Sequence, residues 1–186
     1  ALAMNYGTFL LVVLIYISYR TVSTLECTEM PPITTGLVGM YNGESFDSGS
    51  NTWRDISGSN NHATTGGTIY RRVDGTLRQR VFLTGGTSST ILWPTTILPS
   101  TYTLFHIARY NGPRKHRIFD GIGANWLSGF WGGRNGIAYH WNWLTSQTAY
   151  ISSLSWLLSS DQNSLYRAQG TQLSTNAPGS PSFARL

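Results

Sequence analysis

The chain has 186 residues, 40% of them apolar and only 11% charged, with a formal net charge of +5. Charged residues fall well below the usual quarter, and ten Tyr, seven Trp, seven Phe and twenty Gly fill the gap. This favours strands and turns over helices, and a lone cysteine, Cys27, excludes a disulfide framework within the chain.

Aromatic residues suit a pleated, half-buried surface, and Gly, Asn and Ser suit tight corners, so the expectation is an all-β domain. Of the thirteen basic residues only Lys115 is a lysine. Arginine stacks on aromatics and forks onto carboxylates, which favours interface or structural use over contact with nucleic acid. No Asn-x-Ser/Thr acceptor occurs. With the free cysteine, this leans toward a domain that does not face the secretory lumen.

Residues 1–19, "ALAMNYGTFLLVVLIYISY", carry no charge, and Arg20 follows. As a helix the segment would span about 28 Å at roughly 1.5 Å per residue, close to the ~30 Å hydrocarbon core. A signal peptide would want a basic start and a small-residue cleavage site, and neither is present. A buried strand or helix is the other reading, but polar residues would ordinarily interrupt it sooner. The expectation is a single N-terminal membrane anchor over 1–19. With Arg20 as the nearest base, the positive-inside tendency puts the domain on the cytoplasmic side. Residues 20–35 read as a linker, with Pro31 and Pro32 holding it extended. Cys27 in it is an unmodified thiol or, near a membrane, a palmitoylation site.

From 36 to 186 short apolar runs alternate with Gly, Asn or Ser: "GLVGMYNG", "QRVFLTGG", "STILWP", "YTLFHIARY", "HRIFDGIG", "NWLSGFWGG", "GIAYHW" and "SLYRAQGTQLS". Their spacing predicts strands, and "YTLFHIARY", apolar on both faces, suits the middle of a two-sheet sandwich. Only "SQTAYISSLSWLLSS" leaves a helical turn or a further strand open. The run "NTWRDISGSNNHATTGG", residues 51–67, is a chain reversal. Asp55 is placed to accept amide bonds from the residues that follow, and Gly58 and the Asn residues tolerate left-handed geometry.

The stretch containing Trp53, Asp55, Ser57, Gly58, Asn61 and Ala63, followed by "YTLFHIARYNGPRKHRIFDG" and "NWLSGFWGGRNGIAYHW", resembles the laminin-G/concanavalin-like jelly-roll superfamily. It is most similar to the LamG-like proteins of large DNA viruses of algae and protists. The resemblance covers residue 36 to the C-terminus. It implies a concanavalin-like jelly roll of two antiparallel sheets, in which Trp53 fills the space between sheets and Trp53, Asp55, Gly58 and Asn61 form a structural corner. Family members continue with strands that close the sandwich. This chain stops at "PGSPSFARL", so the last strands are expected to be missing or supplied by a neighbour.

No catalytic apparatus, metal site or cofactor site is expected. The fold hosts glucanases, but their Glu-x-Asp-x-x-Glu strand is absent, and only Glu44 and Asp47 lie close together among the acids of the domain. The four His and one Cys lack zinc spacing, and "GIGANW" has Trp126 where a dinucleotide fingerprint needs its third Gly. Two surface features remain. Arg109, Arg114, Lys115 and Arg117 surround a Gly–Pro turn, either a solvated hairpin or a docking patch for an acidic partner. Trp126, Trp131, Arg134, His140 and Trp143 form an aromatic group, either core or a platform for a glycan or partner protein.

The leading expectation is a non-enzymatic, membrane-anchored structural or docking protein. By the viral resemblance it would be a minor capsid protein of the virion, linking an internal membrane to capsid or other assembly proteins. The alternative is a glycan-binding, lectin-like module. Specific nucleic acid binding is disfavoured because no recognised motif occurs.

Overall fold

A computed structural model describes residues 2–3, 9–12, 35–75 and 80–179. Among these, β1 (Leu2–Ala3) and β2 (Phe9–Val12) come first, and a 3-10 turn at Gly43–Ser45 leads into β3 (Phe46–Asp47), β4 (Thr52–Trp53) and β5 (Ala63–Gly66). Next are β6 (Ile69–Asp74), β7 (Arg80–Gly85), β8 (Thr90–Leu92), β9 (Thr103–Tyr110) and β10 (Phe119–Gly121). The chain continues through β11 (Trp126–Trp131), β12 (Arg134–His140), β13 (Leu157–Gln162), β14 (Tyr166–Ala168) and β15 (Thr171–Gln172). No α-helix occurs among the described residues, and "SQTAYISSLSWLLSS" supplies a loop and the start of β13.

The strands form two antiparallel sheets. One runs β12-β11-β10-β1-β8-β5-β4-β3 and the other β15-β14-β13-β9-β2-β7-β6. β9 shows why they face one another. His106, Ala108 and Tyr110 are buried while Thr103 and Phe105 are exposed, the period of two that a sheet with one face on a core requires. In β13 the inward set is Leu157, Ser159 and Asp161.

Aromatic rings from both sheets fill the space between them. Trp53 and Trp93 lie 6.0 Å apart, Trp93 stacks on Phe119 at 6.2 Å, and Phe119 meets His106 of the opposite sheet at 4.1 Å. Tyr110 meets Phe130 edge-on at 5.1 Å. Burying each such ring contributes about 1.5–3 kcal/mol, and each favourable ring pair about 0.5–1.5 kcal/mol more. A β-bulge between Gly129 and Phe130 sits against this core. Gly129 has φ +87°, and a Cβ there would lie 2.6 Å from His106 Cε1, so only glycine fits.

Six residues of the 1–19 segment are described, all as strand. β1 pairs with β10 and β8, and β2 lies between β7 and β9, with Leu11 opposite both Leu83 and Ala108. The other positions of 1–34 lie outside the described residues, and with them most of the segment expected to cross a membrane, the linker and Cys27. Among the described residues no helix is long and apolar enough to cross a membrane. Residues 180–186, where the expectation of missing final strands falls, also lie outside the described set.

Candidate functional site

The corner at 53–63 is tied together by side chains. Trp53 is fully buried, and its indole N–H donates to the Asn42 carbonyl at 2.7 Å. Asp55 accepts amide bonds from Met40 at 2.9 Å and Ser57 at 2.8 Å on Oδ1, and from Asn61 at 2.9 Å on Oδ2. Burial alone would raise the Asp55 pKa, but these bonds outweigh it and hold the carboxyl below its ordinary value. Asn61 donates to the Val38 carbonyl at 2.7 Å, and Gly58 (φ 92°) and Asn60 (φ 58°) supply the left-handed positions of the reversal. With its carboxylate contacts internal, Asp55 orders a corner.

The five residues of the aromatic group divide between two places. Trp126 and His140 face one another across the β11–β12 pair and point into the core, stacked at 5.5 Å with an interplanar angle of 16°. Trp131 and Trp143 lie on the outer face, edge-on at 5.1 Å, and Arg134 sits over Trp131 at 5.4 Å. Tyr139, which sequence reasoning left out, completes this outer group at 4.9 Å from Trp143. Its strand position, one residue from inward His140, is the signal that would have found it.

His140 is engaged from two sides. Nδ1 lies 3.0 Å from the Asn163 carbonyl, and Nε2 lies 3.2 Å and 3.3 Å from the two oxygens of Asp161, with good hydrogen-bond geometry only to the farther one, Oδ2. The Asn163 carbonyl can only accept, so Nδ1 donates to it, while Nε2 faces the fully buried carboxyl group of Asp161. Burial pulls the His140 pKa down, but the Asp161 charge and these hydrogen bonds carry it above its ordinary value. The Trp126 indole extends the network by donating to the Tyr102 hydroxyl at 3.0 Å. His106 is the contrasting case. Its Nε2 meets Ser128 Oγ at 3.0 Å, its Nδ1 is buried without a partner, and burial pushes its pKa down to about 3. Asp161 was visible in the sequence as an acid. Its pairing with His140 depends on two strands 21 residues apart meeting across the sandwich.

Of the four cations around the Gly–Pro turn, three are held by neighbours. Arg117 pairs with Asp120 at 2.7 Å and reaches Asn125 at 2.9 Å. Lys115 donates to Ser153 at 2.7 Å, and Arg109 lies over the Trp156 ring at 5.2 Å. Arg114 is exposed. Among the described residues no group of three or more His, Cys, Asp or Glu is placed to hold a metal ion. Comparison of the chain with protein-family models, curated proteins and solved structures finds no match.

Proposed function

We propose that this protein is a non-enzymatic structural or docking protein that acts through the outer faces of its sandwich. The observation that carries the reading is the outward pairing of arginine with aromatic rings on both sheets. Arg134 covers Trp131 on one, and Arg109 covers Trp156 and Arg72 covers Tyr70, at 4.6 Å, on the other. Arginine and large aromatics are the residues that dominate the energy of protein interfaces. In its fuller form the proposal is a laminin-G-like jelly roll in a virion, docked to capsid proteins and held to an internal membrane through residues 1–19, an arrangement that requires β1 and β2 to leave their sheets. The resemblance and the uncharged run of 1–19 support that setting.

The test is incorporation into the native assembly. Arg114 is the cation to reverse, since Arg114→Glu disturbs no internal contact, whereas reversing Arg117 would set two acids side by side at Asp120. The variant should melt like the parent and incorporate less well. Carbonate extraction checks the setting, since release of all the protein would remove the membrane link. A lectin-like module is the second reading, favoured by the outer Trp131–Trp143–Tyr139 group. Normal incorporation of Arg114→Glu, together with glycan-array binding lost in Trp131→Ala, would make it the better one.

A further inference from the structure

The outer face of the seven-stranded sheet carries a built concavity. Because His106 and Ala108 point inward on β9, and Leu157, Ser159 and Asp161 inward on β13, the residues between them point out. The register sets Leu158 beside Ile107, and Ser160 beside both Phe105 and Arg167. Phe105 is 47% exposed and Leu158 42%. With Ser160, Gln162, Arg167 and Gly170 they line a hollow of about 360 Å³. Gly170 keeps its rim low, with nothing within 4 Å of where a Cβ would stand. Beyond Ile107, Trp156 packs edge-on against Phe82 at 5.8 Å beneath the Arg109 guanidinium. The face thus has an apolar floor with an arginine on each flank.

The chemistry of this face selects among occupants. A bilayer is flat on this scale and does not fill a hollow. Phosphate or sulfate polymers need cations but gain little from a Phe–Leu floor. Among the described residues a second copy of the chain offers little complementary charge. Among the described carboxylates Glu44 pairs with Arg71, Asp47 with Arg54, Asp120 with Arg117 and Asp161 with His140, and Asp55 is committed to backbone amides. Only the Asp74 side chain is left over, and two such faces brought together would oppose arginine to arginine.

We infer that the hollow receives an apolar side chain of a partner protein, with a neighbouring carboxylate of that partner on Arg167. This assignment rests on the docking reading. A protein that incorporates through Arg114 while the hollow proves inert loses this assignment alone.

The experiment titrates the full chain with three short peptides, centred on Glu-Phe-Glu, Gln-Phe-Gln and Glu-Ala-Glu, following the amide signals of Ser160, Arg167 and Gly170 by NMR. The Glu-Phe-Glu peptide should shift them saturably, and each control should bind about tenfold more weakly, the value of one charge-assisted bond or one buried ring. Arg167→Gln should remove the preference for Glu over Gln, and Leu158→Glu should abolish the shifts. Arg167→Gln alters only a half-buried rim residue and serves as the decisive variant if Leu158→Glu melts early. Equal affinity for the Glu and Gln peptides, or shifts unchanged in Arg167→Gln, would overturn the inference. So would binding of phosphatidylserine vesicles that Leu158→Glu abolishes, which would assign the face to a membrane instead.

Discussion

Trp53 and Asp55 lie two positions apart and stabilise the same corner by different physics. Trp53 contributes volume: its ring meets Tyr41 at 5.4 Å and Trp93 at 6.0 Å with no exposed surface. Trp53→Ala should therefore cost about 3–5 kcal/mol, a large share of the stability of an ordinary domain. Asp55 contributes acceptors. Asp55→Ala leaves three backbone N–H groups without partners, one of them the buried Met40 amide, at about 1–3 kcal/mol for each that water cannot reach. Asp55→Asn keeps one good acceptor oxygen and should cost roughly half as much. Urea titrations of the three variants check the order. If Trp53→Ala unfolds at the parent midpoint, the ring is not part of the core.

At the scale of the element, β2 is the strand on which most depends. β7 and β9 do not pair with each other in the described arrangement, and both pair with Phe9–Val12. Removing that strand would leave two rows of unpaired N–H and C=O groups inside a sheet, which is unstable and open to aggregation. Deletion of residues 1–20 should therefore abolish the cooperative thermal transition. A truncated chain that melts like the parent would mean the sandwich closes without β2 and frees the segment to act as an anchor. The same four residues cannot be a sheet strand and part of a bilayer helix at once, so the deletion decides between the two arrangements. The loop between β9 and β10, which crosses from one sheet to the other, illustrates a smaller effect. Four cations cluster in its sequence, yet Ser153, Asp120 and Trp156 draw three of them onto the body of the sandwich.

For the molecule as a whole, the two buried histidines set opposing limits on stability. His106 is neutral in the fold, with its pKa pushed down to about 3, and in the unfolded chain it takes up a proton near pH ~6.5. The unfolded state then binds more protons, so stability falls as pH drops below ~6.5 toward 3. Asp55, held below its ordinary value, adds to the loss only under pH ~4. His140 has the opposite sign. Its pKa is raised in the fold, so its contribution is complete below ~6.5 and is lost as pH climbs through the folded value. The unfolding free energy should peak between these limbs. His106→Leu should flatten the acid limb above pH ~4, and His140→Gln the alkaline one, whatever each does to absolute stability. An acid limb unchanged in His106→Leu would place the proton uptake elsewhere.

The sequence by itself determined the all-β class, because short aromatic and apolar runs at strand-like spacing, punctuated by Gly and Asn, stabilise little else. Local chemistry was legible for the same reason: Trp53, Asp55, Gly58 and Asn61 lie within nine positions, and a turn is made of neighbours. The division of Trp126 and His140 from Trp131 and Trp143 was not legible. A bulge at Gly129 interrupts the alternation that would have sorted them, and only the sheet register places each face. The His140–Asp161 pair, the bond from Lys115 to Ser153, and the hollow between Phe105, Leu158 and Arg167 are likewise tertiary facts. Each joins side chains from separate strands or loops, and a contact across strands is set by register and packing, which no run of adjacent residues encodes.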